Sequence, residues 1–396
     1  MASNFRASGE DIEGRYLYDY EEWIVEDAVN PGGRLWMTGG NNGGQLGDDT
    51  TTSRSSPVQT VSAGTNWKTV CAGKGYNGIS AGIKTDGTLW LWGSNSYGSI
   101  GDNTTTSRSS PVQTVSAGTN WKQVASGAGH VGAVKTDGTL WMWGRNYNGT
   151  LGNNDGYTNE SSPVQTVSAG SNWKLVACGE YHTAAIKTDG TLWLWGVNAY
   201  GRLGDNTRDD KSSPVQTVSA GTNWKQVAGG GQHTAAVKTD GTLWCWGRNT
   251  QGQLGDNTSD SKSSPVQTVA GGTNWKQVAC GERYGGFTVA VKTDGTLWSW
   301  GSNSNGQLGD NTTTDRSSPV QTASAGTNWK LVACGNYHTA AVKTDGTLWA
   351  WGQNYSGHFG DGTTTGRSSP VQILSPARTY WSIVSCGKDT TGAISL

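Results

Sequence analysis

One string dominates this chain. KTDGTLWxWG begins at Lys84, Lys135, Lys187, Lys238, Lys292 and Lys343. Self-similarity at a fixed period restricts a chain to repeat architectures. Two further series give that period. The string SSPVQ places prolines at Pro57, Pro111, Pro163, Pro214, Pro265, Pro319 and Pro370, in steps of 54, 52, 51, 51, 54 and 51 residues. A tryptophan opening a short apolar run recurs at Trp67, Trp121, Trp173, Trp224, Trp275, Trp329 and Trp381. Each series has seven members.

Residues 173–217 show what one unit can fold into. WKLVACG and HTAAIKT are short apolar runs bounded by turn residues, which predicts two strands. Asp189-Gly190 is a strong hairpin signal and is read as a type I′ turn. TLWLWG is the third strand, with Trp193 and Trp195 on one face and Leu192 and Leu194 on the other. A loop rich in Gly, Asn and Asp leads to PVQTV, an outermost strand with its proline placed at the strand start. Such a sheet is apolar on both sides and cannot bury both alone. Stacking the tryptophan face of one unit on the leucine face of the next, around a closed ring, buries every face.

The fold class is therefore all-β: a seven-bladed β-propeller of four-stranded antiparallel blades. Six units are complete and the seventh is split. GGRLWMTGG through SSPVQT supplies its outer strands and YWSIVSCGKDTTGAISL its inner ones. The expected organisation is a propeller over residues 31–396 and a separate segment over residues 1–30.

The bulk numbers narrow the function classes. A net charge of −1 gives no global field toward nucleic acid or membrane. No apolar run approaches the roughly 18 residues of a membrane span, and the start lacks a secretory pattern. Six cysteines without a CxxC pair read as small buried thiols. The expectation is a soluble chain, in a virion or the cytoplasm. The sequence shows no G-x-S-x-G, phosphate loop or convergent Cys/His pair, so no enzyme and no cofactor is expected. The Asp-rich loops at 204–210 and 309–315 lack the spacing of a calcium loop, and no metal is expected.

The unit VACGEYHTAAIKTDGTLWLWGVNAYGRLGDN resembles the repeat of the RCC1 (regulator of chromosome condensation) family, through its G-x-x-H-T and W-G-x-N-x-x-G-x-L-G-D steps. The resemblance covers residues 31–396 and implies the propeller fold. Activity varies across the family, from nucleotide exchange to ultraviolet reception to enzyme inhibition. The wedge-like insertion of its exchange factors is missing here. The photoreceptor's G-W-R-H-T motif is replaced at Glu180-Tyr181, Gly231-Gln232 and Asn336-Tyr337. The regular flavour of the repeats is similar to that of marine bacterial and bacteriophage proteins, which implies a virion or surface role.

Candidate sites come from where the copies differ. His130, His182, His233 and His338 share one repeat position and are read as structural ties, with His358 in an exposed loop. The strand 1–2 and 3–4 loops share one face of the disc and vary from copy to copy. They carry Tyr76, Tyr97, Tyr147, Tyr157, Tyr181, Tyr200, Tyr284, Tyr337 and Tyr355, joined by Phe287. That composition suits binding loops. A peripheral ring of Arg54, Arg108, Lys211, Lys262, Arg316 and Arg367, interrupted by Glu160, offers to steer an acidic partner. Residues 1–30 hold eight acids against two arginines, with Tyr16, Tyr18, Tyr20 and Trp23, and read as a segment that docks on a partner or on another copy of the chain.

The sequence thus points to a non-catalytic module that binds protein and neither binds nucleic acid nor inserts in a membrane. The expected role is a bacteriophage virion component, a tail or capsid appendage contacting other subunits or a host receptor, with residues 1–30 able to form a homo-oligomer. Two alternatives stand: a cytosolic regulator bound to one protein partner, and a lectin-like glycan binder.

Overall fold

The computed structural model describes residues 32–62, 64–75, 78–116, 118–167, 170–219, 221–282, 286–324, 326–373 and 380–396. They form seven four-stranded antiparallel sheets. Blade 1 is the split one: Arg34–Gly39 and Arg54–Gln59 pair with Thr390–Ser395 and Trp381–Cys386. Blades 2 to 7 span residues 67–113, 121–165, 173–216, 224–267, 275–321 and 329–372. The first strand of each blade touches the first strands of its neighbours, so these strands ring the axis.

The seven apolar clusters among the described residues each span two adjacent blades. Between blades 3 and 4, Val134, Leu140 and Met142 meet Trp173, Val176 and Trp195. Trp195 is fully buried, stands edge-on to Trp173 at 6.2 Å, and donates Nε1–H to the Thr150 carbonyl of blade 3 at 2.9 Å. A Cβ on Gly152, at φ +65°, would lie 2.7 Å from that Nε1, so the G-x-L-G-D glycine lets the preceding loop close over the ring. Blade 1 has Thr38 where the others carry this tryptophan. Blade 7, facing it, brings Phe359 where the others have Leu or Ile, and Phe359 packs with Trp36.

The rest of the repeated string is local structure. Lys187 donates to Thr191 O at 3.0 Å and Gly190 N to Lys187 O at 2.9 Å. Only Gly190 has positive φ, +78°. The hairpin is therefore a three-residue turn ending in a left-handed glycine, not the two-residue type I′ turn expected. Asp189 accepts from Thr191 N and Oγ1, Thr191 Oγ1 accepts from Trp193 Nε1, and Lys187 Nζ lies 4.9 and 4.5 Å from the centroids of Trp173 and Trp193. The SSPVQ proline is also displaced from the expected place. Pro214 is the fourth residue of the strand Lys211–Gln216, in the stretch where pairing shifts between Gly196↔Lys211 and Leu194↔Val215. On an outermost strand the missing N–H costs nothing there.

The shared histidines tie blade to blade. Nε2 of His130, His182, His233 and His338 meets the threonine hydroxyl of the next blade, at Thr183, Thr234, Thr288 and Thr391. The glycine three residues before makes room: a Cβ on Gly179 would sit 2.3 Å from His182 Cε1. Phe287 fills this position in blade 6 and is 0 % exposed. It belongs to the interface with blade 7, so the expectation that it lines a contact face is corrected. His358, expected in an exposed loop, is 1 % exposed, with its ring 4.3 Å from that of His338 and its Nε2 on the Gln353 carbonyl.

Burial drives His233 down to about 3, helped by the nearby Arg202 charge, and His358 down to about 4. The unfolded chain takes up these protons near pH 6.5 and the folded chain does not. Stability is therefore full above pH 6.5 and falls as pH drops toward the folded values. His233→Phe, which copies blade 6, is expected to flatten the fall in melting temperature between pH 6.5 and 4. The check is calorimetry of both proteins across that range.

A tyrosine–arginine cluster on the loop face

The strand 1–2 and 3–4 loops emerge together, and the buried asparagine of W-G-x-N holds each 3–4 loop. In blade 4, Asn198 Nδ2 donates to Asp205 Oδ1 and Thr207 O while its Oδ1 accepts from Leu203 N. Side chains outside this frame are presented to solvent by a rigid scaffold.

Arg145 stands at the x of W-G-x-N in blade 3. Its guanidinium carbon lies 4.9 Å from the Tyr97 ring of blade 2, 4.8 Å from Tyr147 of its own blade and 5.9 Å from Tyr181 of blade 4. Tyr147 and Tyr181 are 5.4 Å apart, and Tyr147 is 42 % exposed. Arg248, at the same position in blade 5, lies 5.3 Å from Tyr200 and donates to Gln232 Oε1 at 2.8 Å. Beneath them Arg202 is 2 % exposed and donates to Gly231 O at 3.0 Å. Burial lowers its pKa to about 10 against the opposing pull of Glu180, which leaves it charged at neutral pH. Three cations from blades 3 to 5 thus stand within or under an aromatic layer of rings from blades 2 to 4, each ring contact contributing about 0.5–2 kcal/mol.

The other expected contact residues are placed differently. Tyr337 is half-buried, and Tyr355, 52 % exposed, packs on His358 over blade 7. Tyr157 is 76 % exposed and lies apart in the blade 3 loop. Tyr76, Tyr284 and the segment residues Tyr16, Tyr18, Tyr20 and Trp23 lie outside the described residues. The arginines were missed by reading loops for tyrosine alone; the same copy-to-copy comparison at x of W-G-x-N singles out Arg145 and Arg248.

The peripheral basic ring is corrected at four of its six members. Arg54 pairs with Asp48 at 3.1 Å, Arg108 with Asp102 at 2.8 Å, Lys211 with Asp205 at 3.7 Å and Arg316 with Asp310 at 2.9 Å. These cations close their own 3–4 loops instead of projecting a field. In blade 3 both partners change together, to Asn153 and Glu160. Burial works against the Asp102 carboxylate, yet hydrogen bonds from Thr104 and Arg108 outweigh it and hold it below the usual range.

At the axis, the first strands line a channel of about 160 Å³ that includes Gln123, Ser126, Cys178, Cys280, Cys334 and Cys386. All six cysteines are buried thiols. On the loop side, Gly75 N donates to Glu282 Oε2 at 3.0 Å across the axis. Among the described residues, no three His, Cys, Asp or Glu side chains are arranged to hold a metal ion, and no helix is long and apolar enough to cross a membrane.

The fold and its repeated ties define a seven-bladed β-propeller. The profile of the RCC1-like domain matches residues 27–332, and RCC1 repeat profiles match 329–357 and 345–394. The chain belongs to the RCC1-like family. It is 34 % identical to the ultraviolet-B receptor UVR8 of Arabidopsis thaliana over 336 residues, 83 % of this chain and 75 % of that protein. It is 30 % identical to the human E3 ubiquitin-protein ligase HERC2 over 80 % of this chain and only 7 % of that protein. The solved structure of Prp20p from Saccharomyces cerevisiae superposes with a TM-score of 0.81 at 18 % identity, covering 92 % of both chains, which shows the shared fold.

Asp102→Asn is expected to lower stability by about 1–3 kcal/mol, because it leaves Arg108 without its anion in a closed loop. Glu160→Gln in blade 3, where no such pair exists, is expected to change it by less than about 0.5 kcal/mol. Parallel urea titrations of both variants check the contrast.

Proposed function

We propose that the chain is a non-catalytic protein-binding propeller whose partner sits on the loop face, across blades 2 to 5. One observation carries the reading: tyrosines from three successive blades surround the half-buried guanidinium of Arg145. Tyr and Arg are the residue types that dominate binding hot spots. Rigid rings lose little entropy on contact, and a guanidinium recognises a carboxylate in fixed geometry. The partner surface suited to it is apolar at the centre with an acidic group aimed at Arg145.

The relatives support a protein partner. The Prp20p structure is described together with that protein's binding to Gsp1p and histones, and a further structure holds yeast RCC1 with Kap60. Those partners are theirs. A soluble regulator bound to one protein is the reading that these relatives fit. The particle-borne version, in which the partner is a virion subunit or a host receptor, draws on the flavour of the repeats alone.

Arg145→Ala and Tyr147→Ala are each expected to weaken the complex roughly tenfold or more while the propeller stays folded, with the melting temperature lowered only by the lost ring contacts. Tandem purification of the wild-type and variant chains from the native host, with quantified partner, reads this out. A partner recovered equally with both variants, and lost on substitution of Asp189 on the opposite face, contradicts the reading. Co-sedimentation in many copies with particles distinguishes the virion version from a one-to-one soluble complex.

A further inference from the structure

The face opposite the loops carries a different charge pattern. Each of blades 2 to 7 begins its first strand with Trp-Lys: Lys68, Lys122, Lys174, Lys225, Lys276 and Lys330. In every one of these blades a register shift falls at this point, so that Trp and Lys together oppose one residue of the second strand. The bulge takes the lysine out of the alternation that sends its tryptophan into the blade interface. As the first strands ring the axis, the six lysines surround the mouth of the channel on the hairpin side. Lys330 Nζ lies 5.7 Å from the ring of Tyr380, in the next blade, so the side chain runs along the rim. Burial, and then the charge of Lys276 one blade away, push Lys330 below the usual lysine value.

The hairpin charges of this face are engaged within their own blades. The hairpin lysines lie over paired tryptophans, as Lys238 does 4.8 and 4.6 Å from Trp224 and Trp244. The hairpin aspartates accept from the threonine two residues on, as Asp240 does from Thr242. Six like charges around a narrow mouth repel one another, and an anion placed among them offsets that repulsion.

The chain itself leads to this mouth. Gly33 N donates to Trp67 O at 2.9 Å and Trp67 N to Gly33 O at 3.1 Å, so the described chain starts beside the first strand of blade 2, one residue from Lys68. Blade 1, where the chain enters, is the blade whose first strand has Ser382 in place of the lysine. Residues 10–27 contain eight acids and one arginine, and the last acid, Asp27, is five residues from Gly32. Five residues reach up to about 17 Å.

We propose that the lysine-ringed mouth of the channel is a docking site for an acidic peptide, and that its occupant is the acidic segment of the same chain, residues 10–27. Tethering gives this segment an effective concentration in the millimolar range. It therefore competes with any other polyanion for the ring and leaves the loop face open for a partner. The site stands apart from the tyrosine–arginine cluster, and either assignment can fail alone.

Zero-length carbodiimide coupling of the full chain, followed by peptide mass mapping, tests this. The expected products join carboxylates of residues 10–27 to the ring lysines within one chain. These products are lost at about 1 M salt, where screening acts over about 3 Å. In the Lys68→Glu/Lys276→Glu variant, coupling to Lys122, Lys174, Lys225 and Lys330 falls to background. Couplings found only between chains, or spread evenly over the hairpin lysines, or unchanged in high salt, overturn the proposal, as does their absence. The salt series uses the unaltered protein, so the test holds even where the variant folds poorly.

Discussion

A tryptophan face laid on a leucine face is the contact on which this molecule depends. Each sheet offers both faces, and every apolar cluster among the described residues is shared between two blades. A single blade therefore leaves half of each cluster in water. Stability then belongs to interfaces, and closing the ring supplies the last one. The split blade 1 makes that closure from both ends of the chain: Trp36↔Ala393 and Met37↔Gly392 are ladder partners. Fixed hydrogen bonds reinforce the apolar contact, from an indole at six interfaces and from Thr38 Oγ1 to the Gly357 carbonyl at the seventh. The indole N–H meets the carbonyl of the preceding blade's loop, and Gln123 pairs both its amide groups with Val176 of the next first strand.

This division explains how much could be read in advance. The fold, the blade count and the closure follow from period and alternation, because KTDGTLWxWG encodes a contact made by six of the seven blades and the repeat histidine one made at four interfaces. The misreadings share one cause: a side chain whose role is fixed by a residue on another strand or loop. Arg54, Arg108 and Arg316 looked free because their aspartates stand six residues upstream across a loop. The joint change to Asn153 and Glu160 was the available sign of that pairing. His358 and Phe287 looked exposed because they sit in loops that vary. His358 is buried against His338, and Phe287 stands before the repeat threonine, Thr288, where other blades place histidine. The turn type escaped because Asp-Gly fits several hairpins.

The candidate site was half legible. Tyrosine in the variable loops marked the face on which the cluster stands. What organises Tyr97, Tyr147 and Tyr181 is one arginine from the blade between two of them, and that convergence exists only once the blades are stacked. The two faces of the disc also divide the chemistry. Variable aromatic loops with embedded cations lie on one side, and a repeated lysine at the axis on the other. Both are tolerated because neither belongs to the tryptophan–leucine contact, so they can vary or accumulate charge while the ring stays closed.

Native-state hydrogen exchange of Trp195→Ala tests the central claim most directly. The account predicts a loss of about 3–5 kcal/mol in the protection of the slowest amides of all seven blades, including blade 1 on the far side of the ring, because one weakened interface lowers the stability of the whole closed array. A loss confined to blades 3 and 4, with blade 1 as protected as in the wild type, would show that blades hold themselves together and contradict it.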